Sequence, residues 1–166
     1  TTPTLSFDTK APTLAITSDK SALKIGETAT VTFTFSEVVS GFAAEDISVS
    51  GGTFTNLTQS SSNTKVWTGT FTPTASTDSS TASITVAASS YTDAAGNNGG
   101  AGTTPTLTFD TKAPSLASIT AAGSVAAGGT TTLTFTFSEA VSDFTLADIT
   151  ATNGTVSSVT RVGSTN

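Results

Sequence analysis

The feature that most limits what this chain can fold into is an internal copy of itself. The segment TTPTLSFDTKAP at residues 1–12 returns as TTPTLTFDTKAP at residues 103–114, so that Asp8 recurs as Asp110 at an offset of 102 residues (110 − 8). The same offset carries Phe33-Thr34-Phe35-Ser36-Glu37 onto Phe135-Thr136-Phe137-Ser138-Glu139, and Asp46-Ile47 onto Asp148-Ile149, without a gap. A solenoid repeat runs to about 20–50 residues. This period is instead that of a whole small domain. It divides the chain into residues 1–10, the last strand and linker of a preceding repeat; residues 11–112, a complete repeat; and residues 113–166, the N-terminal half of the next. The middle section is long enough to bury a core of its own. The last lacks the counterparts of residues 65–110 and is expected to be disordered, completed by another molecule, or part of a longer array. Tandem arrays of this kind serve reach, spacing or multivalent contact rather than chemistry.

The 166 residues contain no Cys, His or Met, which removes nucleophile–imidazole chemistry and the soft ligands of zinc, copper or iron sites. Only 11% of residues are charged and the net charge is −6, with six basic side chains in all. That leaves no cationic footprint for nucleic acid and no polybasic patch for an anionic membrane surface. No apolar run approaches the roughly 18 residues of a membrane span. Thr and Ser supply the polar surface that charge does not.

Helix signals are weak and β-branched alternation is strong. Residues 28–36 place Ala29, Val31, Phe33 and Phe35 on one face and hydroxyls on the other, the period of a half-buried strand. Further runs fall at Leu14–Thr17, Asp46–Ser50, Thr53–Thr58, Lys65–Thr72, Ala82–Ala88 and Pro105–Phe109, separated by Gly, Asn, Ser and Pro clusters such as Ala94–Gly102. About seven short strands in about a hundred residues predict an all-β, immunoglobulin-like sandwich. Trp67 and Phe71 share a strand face and read as core with Phe33, Phe35, Ile84 and Val86, rather than as a sugar-stacking platform. Tyr91 reads first as a packing residue, with a corner bond to backbone as a further option. The outward Thr faces read as ordinary exposed strand surface.

An up-and-down path through such a sandwich returns the chain to its entry pole after Ser36 and again after Ala88. The loop Glu37–Glu45 with Asp46 at its edge, the loop Tyr91–Asn97, and the incoming link Asp8-Thr9-Lys10-Ala11-Pro12 then meet at one pole. Asp8, Glu37, Asp46, Asp93 and Asn97 are thereby directed to one junction, with Lys10 as the only local base. Crowded carboxylates repel, and Ca²⁺, which takes 6–8 oxygen ligands, relieves them. The internal copy sharpens the choice. Asp8, Glu37 and Asp46 recur as Asp110, Glu139 and Asp148, whereas Asp19, Glu27 and Glu45 become Ala121, Gly129 and Ala147. Against this stands the plain alternative that Glu37 and Asp46 are loop carboxylates that cap turns. No EF-hand loop or Asp-rich nonapeptide is present. Pro12 and Pro114 follow each link and stiffen the entry into the next unit.

The phrases FSEVVSGFAAEDISVSGG, YTDAAGN and FDTKAPTL, at residues 35–52, 91–97 and 7–14, resemble the bacterial Ig-like tandem repeats of giant type I-secreted surface adhesins. That group comprises RTX and biofilm-associated proteins and includes the extender repeats of ice-binding adhesins. The resemblance implies β-sandwiches strung end to end as an extracellular stalk, with Ca²⁺ near the junctions. It also implies that the linker acid falls on Asp8 and Asp110, the strand-end acid on Glu37 and Glu139, the next loop acid on Asp46 and Asp148, and the last loop acid on Asp93.

The reading that results is a non-catalytic, Ca²⁺-stiffened spacer of a bacterial cell-surface adhesin. Its partners are neighbouring repeats of the same chain, and the adhesive ligand is bound by other domains. The alternatives are a sandwich that itself binds glycan or ice, and an accessory module of a secreted hydrolase. Glu37 and Asp46 as a glycosidase-type carboxylate pair lack an aromatic-lined cleft.

Overall fold

The computed structural model describes residues 6–162, and the chain falls into two compact units, Thr1–Lys112 and Ala113–Asn166. Among the described residues the first unit has nine strands: β1 (Leu14–Ser18), β2 (Ala22–Lys24), β3 (Ala29–Phe35), β4 (Ile47–Ser50), β5 (Gly52–Gln59), β6 (Val66–Pro73), β7 (Ser80–Val86), β8 (Gly102–Thr103) and β9 (Leu107–Asp110). One sheet runs β1-β3-β6-β5, and the other runs β2-β9-β7-β4 with β8 on β7. Every pairing is antiparallel except β2 with β9. This distribution of strands over two sheets is that of an immunoglobulin-like sandwich.

Seven of these strands lie where alternation placed them. The two short ones, β2 and β8, were not marked by it, because three and two residues are too few to show a period. β8 begins at Gly102, the last residue of the Gly- and Asn-rich stretch that reads as a turn. Each strand feeds the same core. Val31, Phe33 and Phe35 of β3 meet Phe71 of β6, Ala82, Ile84 and Val86 of β7, and Leu107 and Phe109 of β9, all buried. Burying each large apolar side chain contributes about 1.5–3 kcal/mol. The intervening Thr30 and Thr34 stay exposed, as a period of two requires.

Trp67 packs against this core and is only half-buried, its ring set edge-on to Phe42 at 5.5 Å. Its indole Nε1 is enclosed and has no acceptor among the described residues. Two glycines carry steric meaning. Gly69 of β6 faces inward opposite Val31, and a Cβ there would land in the Phe54 ring. Gly51 turns the chain from β4 to β5 at φ +76°, in the left-handed region.

The second unit has two described strands, β10 (Leu116–Ala121) and β11 (Leu133–Phe137), paired antiparallel. These are the counterparts of β1 and β3 at the offset of 102. Among the described residues the segments that correspond to β2, β4 and β5 carry no ladder. Where Gly51 turns the first unit, Asn153 takes φ +60° in the second, a conformation that Asn tolerates better than other side-chain-bearing residues.

Candidate metal centre

Three segments build one pole of the first unit, and specific bonds hold each in place. Thr92, just past β7, forms an isolated antiparallel bridge with Ser40: Ser40 N–H donates to Thr92 O at 2.7 Å, and Thr92 N–H donates to Ser40 O at 3.0 Å. That bridge draws the loop after β3, which starts at Glu37, against the loop after β7, which carries Asp93. Tyr91 anchors the second loop from inside. Its ring is buried edge-on to Phe35 at 4.9 Å, and its hydroxyl donates to Gly100 O at 2.7 Å. Burial raises the Tyr91 phenol above its ordinary pKa. Gly100 N–H in turn donates to Pro12 O at 3.0 Å, which ties the entering link to the same loop.

Asp93 organises the loop. It is the one charged residue among the described residues that is buried, at 4% exposed. Its Oδ1 accepts the backbone N–H groups of Ala95 at 2.9 Å and Asn97 at 2.8 Å, and its Oδ2 accepts the Asn97 side-chain amide at 2.7 Å. The Asn97 amide foremost, and then the backbone N–H groups of Asn97, Ala95 and Gly96, hold the Asp93 carboxyl below the usual carboxylate range against the opposing effect of burial. The Asn97 Nδ2 also donates to Asp8 O at 3.2 Å and Lys10 O at 3.4 Å. Asp8 closes its own turn by accepting Lys10 N–H on Oδ1 at 2.9 Å.

The outcome is a cluster in which Asp8, Glu37 and Asp93 each offer a carboxylate oxygen, all lying within 4.8 Å of one another. Asp8 is exposed, Glu37 half-buried and Asp93 buried, so the group opens from solvent toward the sandwich. Glu37 has no hydrogen bond or ion pair among the described residues. The two ion pairs found among them, Lys20–Glu27 and Lys112–Asp78, lie elsewhere, and Lys10 pairs with none of the three acids. A donor set made only of oxygen, with excess negative charge and unspent lone pairs, fits a hard divalent cation and no soft one. Asp8, Glu37 and Asp93 are the residues that would hold it. Such an ion would supply charge compensation and a cross-link between the link and two loops.

The other sequence-selected residues are placed differently. Asp46 does not join the cluster. Its Oδ2 accepts Ala43 N–H at 2.8 Å and caps the single 3₁₀ turn Ala44–Asp46 that leads into β4. Asp148 does the same in the second unit, accepting Thr145 N–H and Thr145 Oγ1, both at 2.8 Å. These bonds hold the Asp148 carboxyl below its usual range. Asp46 and its copy Asp148 thus share a capping role. Asn97 reaches the junction, where its amide nitrogen donates to the linker carbonyls. Asp110 repeats the Asp8 turn, accepting Lys112 N–H at 3.2 Å. Glu139 stands just past β11 as Glu37 stands past β3, half-buried.

What sequence reasoning missed was the use of the Asp8 and Lys10 carbonyls as acceptors. The signal was the Asp93-x-x-x-Asn97 spacing, which lets one amide cap both an Asp side chain and a neighbouring backbone.

A family model described as a bacterial Ig-like domain matches residues 8–109 and again residues 110–166. Both matches begin at the linker acid, Asp8 or Asp110. Comparison with curated proteins and with solved structures finds no match.

Proposed function

The chain belongs to the family of bacterial Ig-like domains, and from that premise we propose that it is a Ca²⁺-stiffened extender of a bacterial cell-surface adhesin. Domains of this family are typically extracellular or surface-associated structural modules, and generally not catalysts. The finer reading rests on one observation: the carboxylates of Asp8, Glu37 and Asp93 converge from the link and two loops with no cationic partner among the described residues.

The mechanism is thermodynamic. A cation bound only by the folded arrangement stabilises it by RT ln(1 + [L]/Kd), about 2.7 kcal/mol when free ion stands at a hundred times Kd. Because one ligand belongs to the link, the same binding energy opposes swinging of the link away from the pole. Low Ca²⁺ inside a cell leaves the chain loose for export, and higher Ca²⁺ outside folds and straightens it. The distal ligand is then gripped by other domains, and the partners of this segment are its neighbouring repeats.

Small-angle scattering of an array of two or more complete repeats tests this directly. The expected result is a longer, stiffer particle in Ca²⁺ than in chelator, and superimposable profiles in the two conditions would overturn the proposal.

A second reading, direct binding of ice or glycan, has one observation in its favour. Threonines face outward in register across the β3-β6-β5 sheet, with Thr30 opposite Thr70, Thr32 opposite Thr68 and Thr72 opposite Thr53. Retention of this chain on ice or on a glycan array would favour that reading over the spacer.

A further inference from the structure

The pentapeptide Asp-Thr-Lys-Ala-Pro stands unchanged at residues 8–12 and 110–114. At the entry pole of the first unit its Asp and Pro are both in use: Asp8 joins the acid cluster and Pro12 is buried. The use of its Thr shows at the opposite pole, where the link leaves β9. Thr111 is 4% exposed, although it lies outside every strand. Its Oγ1 donates to Thr74 O at 2.6 Å and accepts Thr77 N–H at 3.1 Å, and its own N–H donates to Thr77 O at 2.9 Å. The β6–β7 loop that it grips is backed in turn by the turn between β4 and β5, since Thr74 N–H donates to Gly51 O at 2.9 Å.

Burial gives these bonds their weight. A hydroxyl taken out of water costs free energy unless it is bonded, and this one acts as donor and acceptor at once. Beside it Lys112 Nζ meets Asp78 Oδ2 at 3.3 Å, but both side chains are exposed and such a pair contributes little. The entry end is built otherwise. There Asn97 Nδ2 reaches Asp8 O at 3.2 Å and Lys10 O at 3.4 Å, and three carboxylates set oxygens within 4.8 Å of one another. Carboxylates so placed repel until a cation joins them. Neutral, satisfied bonds therefore hold the outgoing link, whereas the incoming link depends on charges that call for an ion.

We infer that Thr111 is a metal-independent latch fixing the outgoing link to the unit it leaves, so that Ca²⁺ governs only the end of a link that enters a unit. The second half of that statement rests on the Ca²⁺ reading above, and the latch itself does not. Removal of the ion then frees residues 8–10 while residues 110–112 stay seated. A spacer built this way keeps a stiff exit from its sandwich in chelator and gains a stiff entry when Ca²⁺ arrives. Thr111→Val keeps the shape of the side chain but leaves Thr77 N–H and Thr74 O without their bonds to it, which releases the loop and the link together.

Amide exchange of the full chain, followed by NMR in chelator and in Ca²⁺, tests the latch. The Thr77 and Thr111 amides of the parent are expected to exchange about tenfold more slowly than those of Thr111→Val. That difference should be the same in both conditions, with the core amides of Val31 and Ile84 unchanged. The heteronuclear NOE of Lys112 should fall in the same variant. Thr111→Ser, which retains the hydroxyl, is expected to keep the parent's protection. Parent-like protection of Thr77 in Thr111→Val would overturn the latch, and so would protection in the parent that appears only with Ca²⁺. The Thr9 and Lys10 amides report the other end and should stiffen when Ca²⁺ is added. No response there would overturn the metal reading and the one-sided control with it, while Thr77 in chelator still decides the latch.

Discussion

Replacing Tyr91 with Phe isolates a single bond on which the junction depends. The ring is enclosed at 1% exposed and rests edge-on against Phe35. Phe retains that packing and loses only the hydroxyl that donates to Gly100 O at 2.7 Å. A hydrogen bond of this kind is worth about 1–1.5 kcal/mol net. The unfolding entropy of a domain of roughly a hundred residues is about 0.2 kcal/mol per degree. Thermal unfolding in chelator, followed by far-UV circular dichroism, should therefore fall by about 5–7 °C in Tyr91→Phe. The variant should also lose an alkaline limb. Burial raises the pKa of this phenol in the folded chain, so its contribution is complete below the ordinary Tyr value of about 10 and disappears as pH rises through the higher folded value. Tyr91 is the only Tyr in the chain, so its titration can be followed by absorbance without ambiguity. Melting within about 1 °C of the parent, with an unchanged alkaline limb, would refute the reasoning that this hydroxyl braces the loop.

Three further outcomes separate the roles assigned above. Asp46→Ala should cost about 1 kcal/mol as a lost cap while leaving Ca²⁺ affinity as it was; a weakened affinity in titration calorimetry would return Asp46 to the ligand set. Gly69→Ala should destabilise the first unit by about 1–3 kcal/mol in urea unfolding, because its Cβ meets the Phe54 ring, and parent-like unfolding would show that Phe54 does not lie across β6. In chelator, Asp93 contributes stability above the ordinary carboxylate value of about 4, and that stability drains away as pH falls through its lowered folded value. The acid limb of the melting profile should therefore flatten in Asp93→Asn, and an identical limb would contradict the bonds assigned to this carboxylate.

The sheets were legible because their residues obey a period of two over four or more positions, longest in strands such as β3 and β6. Strands of two or three residues leave no such trace, and β2 also pairs in parallel with a segment some 85 residues away. Convergence of Asp8, Glu37 and Asp93 followed from counting strand reversals, since that count alone fixes which loops share a pole. Which acid turns inward did not follow. Asp46 and Glu37 sit on one loop, and only the backbone around Ala43 decides that the first is consumed by a cap.

Calorimetric titration of the intact chain with Ca²⁺, beside the same titration of Glu37→Gln, bears most directly on the claim that these acids hold a metal. Glu37 makes no other bond among the described residues, so its replacement should leave melting in chelator unchanged. The account predicts one saturable site in the parent at the Asp8–Glu37–Asp93 cluster, a rise in melting temperature of about 12 °C at a hundredfold excess over Kd, and at least a tenfold loss of affinity in the variant. No heat of binding and the same melting temperature in Ca²⁺ and in chelator would contradict it.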